Sequence, residues 1–437
     1  MLADYLVTRA HSRRAFALAL VAVVLVQARA PLSAQGSAPG IAPLKLGGVT
    51  VSGSLRARVE SWDWFGGSAA GLYTYPASLF RVGLNRTNKA RGWQIEFALP
   101  VLLGLPDQPV GVGPQGLGAN YFTANGGSSN AAMLFVKQAF AHFNDVGGVA
   151  GQSLKLGRME FFDGAEVLPA NAVLAAVKRD RVALRLLGNF GFTHVGRSLD
   201  GAQYAIDRPR LNVTLLAARP TRGVFQVDGW GELNVNVFYG AITGQLGDTA
   251  HPAEWRLFGL GYHDYRDDVV KADSRPFAAR LADRRHVSVG TFGGHYIRMV
   301  DARPGPIDLL VWGVVQSGSW GDLAHRAGAF AAEAGWQPQA ALAPWIRGGF
   351  NYGSGDRARD DRTHGTFFQL LPTPRLYARF PFFNMMNTED AFGELVLRPA
   401  RTLTIRADVH SLRLADANDL WYQGGGAFQP RTFGYVG

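Results

Sequence analysis

The chain has 437 residues, 47% of them apolar and only 18% charged, with 54 glycines, 27 phenylalanines, 13 tyrosines and 10 tryptophans. That composition excludes a disordered chain, which lacks the apolar surface to build a core, and favours aromatic-rich strands joined by turns. Cysteine is absent and the formal net charge is +10, so a disulfide framework, a cysteine-ligated metal site and a thiol nucleophile are excluded while a basic surface or lumen is expected.

Residues 1–34 read as an export signal. Arg13 and Arg14 precede an apolar run from Ala15 to Val26, and small residues surround Ser33 and Ala34, the basic, apolar and cleavable order of a secretory leader. That run is too short to span a bilayer as a helix, and no later stretch reaches the roughly 18 apolar residues a membrane helix needs. Helical membrane folds are therefore excluded.

What recurs from residue 49 onward is alternation with period two, in segments of about ten residues separated by Gly, Pro, Asp and Asn, the pattern of a membrane-spanning β-barrel strand. Over 49–62, Val49, Val51, Leu55, Ala57 and Val59 share one face, and Thr50, Ser52, Arg56, Arg58 and Glu60 the other. Phe80, Val82 and Leu84 oppose Arg81 and Asn85; beyond a turn at 86–90, Trp93, Ile95, Phe97 and Leu99 oppose Gln94 and Glu96. Further strands are predicted where Val182, Leu184 and Leu186 oppose Arg181 and Arg185, and where Val287, Val289 and Ile297 oppose His286, Ser288, Tyr296 and Arg298. A strand at 392–400 precedes a last one in which Leu403, Ile405, Ala407 and Val409 oppose Thr404, Arg406, Asp408 and His410.

Tight links near 87–90, 207–209, 299–305 and 399–401 alternate with long ones near 103–130, 267–284 and 353–388. Short turns on one rim and long loops on the other suit a bacterial outer-membrane barrel better than a soluble sandwich. The expected fold is all-β, a transmembrane antiparallel β-barrel of about 16–18 strands filling residues 35–437. About fifteen strands are legible. The last is followed by Asp416, Asn418, Asp419, Gly424 to Gly426 and Pro430, which reads as a long loop, so two or three closing strands are expected to be missing; a sixteenth strand over 428–437 is the alternative. The glycine-rich, weakly charged loop from Pro100 to Asn130 is expected to fold into the barrel mouth with Tyr121 and Phe122 as anchors.

The stretch from Arg347 through Gly348, Gly349, Asn351 and Tyr352 to Gly353-Ser354-Gly355-Asp356 resembles the alginate export family. Asp360, Asp361, the Gly365-Thr366-Phe367-Phe368 run, Leu371, Pro372, Tyr377 and the run from Phe382 to Asn387 continue that likeness, as do Gly157-Arg158 and Arg197 to Ala202 upstream. The resemblance spans most of 48–423. It implies a monomeric outer-membrane barrel passing a linear polyuronate, loops folded over or into an Arg-rich pore, and a periplasmic scaffold as partner.

The residues support part of this independently. Of the 44 basic residues only Lys45, Lys89, Lys137, Lys155, Lys178 and Lys271 are lysine, and the guanidinium fork pairs bidentately with carboxylates. Arg56, Arg58, Arg81, Arg181, Arg185, Arg298, Arg347, Arg398 and Arg406 all fall on the polar faces of predicted strands, which assigns them to the lumen. Two roles remain open for them, selective binding of an anion and solvation of a neutral pore, since lipid would exclude them from the other face in either case. Glu60, Glu96, Glu394 and Asp408 are expected to space and orient them.

Gly111, Gly113 and Gly116 fit a dinucleotide fingerprint, but no strand precedes them and no helix follows. Asp356, Asp360 and Asp361 do not match a calcium loop, and no catalytic HExxH or GxSxG motif occurs. No cofactor, metal, catalytic residue or nucleic-acid partner is expected. The function read here is export of an anionic, alginate-like polysaccharide through the outer membrane, with lipid around the barrel; the alternatives are a general or small-anion uptake porin and a barrel enzyme.

Overall fold

The computed structural model describes residues 23–28, 44–63, 72–107, 117–373, 383–400 and 402–437. Alternating side chains form a wall of long antiparallel strands: β1 Val49–Asp63, β2 Leu72–Thr87, β3 Arg91–Leu102, β4 Phe135–Asn144 and β5 Gln152–Met159. It continues through β6 Leu199–Arg208, β7 Leu211–Pro220, β8 Val235–Leu246, β9 Ala253–Asp264 and β10 Val287–Val300. β11 Ile307–Trp320, β12 Leu323–Trp336, β13 Trp345–Gly353, β14 Thr388–Ala400 and β15 Leu403–Leu414 complete it.

Each strand pairs with the next in chain order, as between β1 and β2, where Arg56 faces Leu79, and between β14 and β15, where Glu394 faces Asp408. The outer edge of β15 pairs with the short strand Val23–Ala28, from inside the expected export signal, and the outer edge of β1 pairs with Leu44–Leu46.

Connections alternate as the sequence predicts. Residues 88–90, 209–210, 301–306 and 401–402 join strands at one rim, while 103–134, 160–198, 221–234, 265–286 and 354–387 emerge from the other. The link between β11 and β12 departs from that rule: Gly321 and Asp322 close it in two residues, with Gly321 at φ 62°.

The long loops turn back into the barrel. Among the described residues their helices are α1 Leu117–Ala124 and α2 Ala172–Val177, which pack inward, and α3 Phe277–Ala282, which stays exposed. Asn171 starts α2 by accepting from the amides of Val173 and Leu174 at 3.0 and 3.1 Å, the usual satisfaction of free N–H groups at a helix start. α1 buries Leu117, Tyr121 and Phe122. The hydroxyl of Tyr121 accepts from the His194 amide at 2.8 Å, and its ring meets Phe225 edge-on at 5.6 Å. The loop from Pro100 therefore docks inward on the two expected anchors; residues 108–116, with Gly111, Gly113 and Gly116, lie outside the described residues.

The predicted strand around 181–186 is absent and needs correction. Lys178–Val182 forms a wide helical turn and Leu184 has φ 66°, a conformation that interrupts an extended ladder. Alternation arises there because the segment lies inside the lumen: Val182, Leu184 and Leu186 are buried in loop packing while Arg181 and Arg185 reach the wall. Residues 428–437 likewise form no wall strand. Tyr435 is buried, and its hydroxyl donates to the Gln369 carbonyl at 2.9 Å.

Candidate functional site: the lumen wall and its inserted loops

Alternation gives the wall two chemically different faces. Leu55, Val59, Phe238, Phe292, Val311 and Val315 are exposed on the outside, a continuous apolar surface that only lipid would cover. The inside divides again. Along β10 to β12 it carries Val287, Val289, Ile297, Leu310, Trp312, Val314 and Ala331, all buried beneath the inserted loops. Along β1 and β15 it carries Ser52, Ser54, Arg56, Arg58, Glu60, Thr404, Arg406 and His410, all only partly covered. The inner face of β1 and β15 is thus polar and less covered than that of β10 to β12, although the 160–198 segment reaches both.

On the more covered side, ion pairs hold the 160–198 segment to the wall. Glu333 of β12 accepts from Arg181 at 2.7 and 3.0 Å and from Arg185 at 2.9 Å. Arg347 reaches the same carboxylate at 3.4 Å and also pairs with Asp308. Lys178 meets Glu254 at 2.6 Å, Arg256 meets Glu166 at 2.7 Å, and all of these side chains are buried. The arginines also lie over rings, Arg181 at 4.4 Å from Phe392, Arg185 at 5.1 Å from Trp312 and Arg347 at 4.7 Å from Trp345, contacts that favour a desolvated guanidinium.

Arg197 is buried and, among the described residues, has no carboxylate partner. It donates to the carbonyls of Gly188 at 3.1 Å, Leu371 at 3.0 Å, Gly425 at 2.7 Å and Ala427 at 3.1 Å. One side chain therefore joins the 160–198, 354–387 and 415–437 segments. Burial pushes its pKa down to about 10, against opposing contributions from Tyr435 and Tyr262.

The nine arginines assigned to the lumen separate into distinct groups. Arg56 and Arg58 lie partly covered on the inner face of β1, and Arg406 on that of β15, 3.3 Å from Asp180 and 3.5 Å from Glu394. Arg81 faces inward, buried, and paired with Glu96. Arg181, Arg185 and Arg347 are inside but committed to Glu333. Arg398 lies at the short-turn rim, 5.6 Å from the Trp345 ring. Arg298 departs from expectation: it is exposed on the same face as Phe292 and Tyr296, while His295, Ile297 and Met299 point inward. Its place two residues from the end of β10 lets a long side chain extend past the apolar surface to water.

The acidic partners Glu333, Asp308, Glu254 and Glu166 are absent from the sequence reading. Glu333 had a signal, a single charge within the strand Ala331-Ala332-Glu333-Ala334. Near the long-loop rim, Asp356 is buried while Asp360 and Asp361 are exposed, so the three do not share one cage.

An apolar exterior, a charged interior and loops of one rim folded into the lumen define a transmembrane β-barrel channel. A family model for alginate export matches residues 117–434; the chain belongs to the alginate export family and is a bacterial outer-membrane protein. No curated protein matches it in sequence. Among solved structures it is similar to OccAB2 of Acinetobacter baumannii, at 9% identity and a TM-score of 0.46 over 84% of this chain and 97% of that one. It is similar also to the high-pH structure of OprB from Pseudomonas putida, at 12% identity and a TM-score of 0.44 over 84% and 94% of the two chains. For the channel DcaP of Acinetobacter baumannii the figures are 10%, 0.38, 85% and 100%.

Proposed function

We propose that this outer-membrane channel exports an anionic polysaccharide, an alginate-like polyuronate, along the less covered, polar side of its lumen. The observation that carries this reading is the one-sided set of partly covered arginines, Arg56, Arg58 and Arg406, beside β1 and β15, together with membership of the alginate export family. Planar guanidinium groups match a carboxylate on each successive sugar. Export by a monomer, the cleaved signal at 1–34 and a periplasmic scaffold that hands over polymer belong to the same proposal.

Reversal potentials in planar bilayers test the charge preference, and swelling of liposomes in uronate oligomers against neutral sugars tests the substrate. An anion-selective pore with faster uronate passage supports the reading; equal passage of neutral sugars overturns it. A small-anion uptake porin is the second reading, favoured by how much of the lumen the inserted segments occupy. Passage of monouronates with exclusion of the oligomers would select it.

A further inference from the structure

Arg56 and Arg58 differ from the deeper arginines in what they hold. Arg56 donates to the Gly191 carbonyl at 3.0 Å and to that of Thr193; Arg58 donates to the intervening Phe192 carbonyl at 2.6 Å. Three consecutive carbonyls of the 160–198 segment thus clasp two adjacent guanidinium groups on the wall. Arg58 also lies 3.1 Å from Glu60 and 3.3 Å from His194 Nδ1, whereas among the described residues Arg56 meets only those neutral acceptors and its Nε is buried without a partner. A small cavity lined by Arg81, Lys137, Glu160 and Val195, with room for about one water, shares Gly191 and Thr193 with this clasp.

A carboxylate presents two anionic oxygens to one guanidinium fork, which separate neutral carbonyls do not. Resting on the channel reading above, we propose that the carbonyls of Gly191, Phe192 and Thr193 are placeholders for substrate carboxylates, and that a uronate frees this strip from Arg56 and Arg58 as it binds. The binding site and the local latch are then the same pair of side chains. Beyond the two arginines the strip is held by neutral bonds: the Gly191 amide donates to Asn189 Oδ1 at 2.9 Å, the Thr193 amide and hydroxyl to the Phe190 carbonyl at 3.1 and 3.0 Å, and the His194 amide to the Tyr121 hydroxyl at 2.8 Å.

Hydrogen exchange at the Thr193 and His194 amides of the full chain, in detergent, reads this directly with sodium glucuronate and glucose as probes. Saturating glucuronate should speed exchange about 30-fold, the factor that about 2 kcal/mol of lost hydrogen bonding supplies at about 1.4 kcal/mol per decade; glucose should change nothing. R56Q/R58Q should exchange fast without ligand and ignore glucuronate. R56K/R58K, which keeps charge but loses the fork, should respond less than the native chain. Exchange in the native chain that is indifferent to glucuronate overturns the proposal, whatever the variants do. Anion selectivity is measured separately: a cation-selective pore defeats the export reading, while glucuronate-insensitive exchange in an anion-selective pore defeats the latch alone.

Discussion

Arg181 is bonded to Glu333 at both ends of its guanidinium fork, at 2.7 and 3.0 Å, although 152 positions separate the two residues. The pair fixes the deepest turn of the 160–198 segment against β12, and Arg185 and Arg347 converge on the same carboxylate. Three buried cations thus meet on one buried carboxylate, and Arg347 also pairs with Asp308.

Replacing Glu333 with Gln should be more disruptive than replacing any one of those arginines. Breaking a buried pair by removing one partner costs about 3–5 kcal/mol because the other charge stays desolvated. The expected result is a lower temperature for the gel-mobility shift of the folded barrel and larger, noisier single-channel conductance as the segment loosens. An unchanged transition temperature would show that the arginines find other partners.

Arg298 and Arg406 were indistinguishable by strand alternation, and the structure separates them. R406Q should lower anion preference in reversal-potential measurements, with the difference shrinking at high salt as the Debye length falls. R298Q, on the outer face, should leave reversal potentials where they are. A drop with R298Q would place that residue on the conduction path.

His194 confers a pH dependence on the clasped strip. Burial, then Arg58 and Arg56, hold its pKa down to about 3; Tyr121 is the other titratable group against it, its hydroxyl 3.4 Å from Nδ1. A released imidazole would titrate near 6.5, so the docked strip binds fewer protons. Docking is complete above about pH 6.5 and weakens by about 1.4 kcal/mol per pH unit as pH falls toward 3. Protection of the Thr193 amide, taken relative to its intrinsic rate at each pH, should fall through that window in the native chain and stay flat in H194Q.

Arg197 joins three loops through four carbonyls, of which that of Leu371 also accepts from the Gly188 amide at 2.8 Å; R197M would strip the guanidinium from all four in a dry interior. The expected cost is on the order of 3 kcal/mol, spread over 160–198, 354–387 and 415–437. Limited proteolysis should then cut in all three loops. Cleavage confined to one would show that the loops pack independently.

Local chemistry was enough to reveal the wall. Period-two alternation needs only the sign of each side chain's preference for lipid or water, so β1, β2, β3, β14 and β15 were legible with their faces, as was the alternation of short and long links. The inward fold of α1 was legible too, because a loop with Tyr121, Phe122 and few charges has apolar surface to bury. The same rule misread 181–186, where Arg181 and Arg185 alternate with buried residues inside the barrel instead of along its wall, and it reversed Arg298, where Gly293 and Gly294 interrupt the pattern and the inserted loops make an apolar inner face favourable. Only the tertiary structure decided which side of the lumen is more covered and which arginines are spent on Glu333 and Asp308. Those outcomes depend on long loops returning to meet strands far away in the chain, and side-chain preference along one segment carries no information about the distant group that will satisfy it.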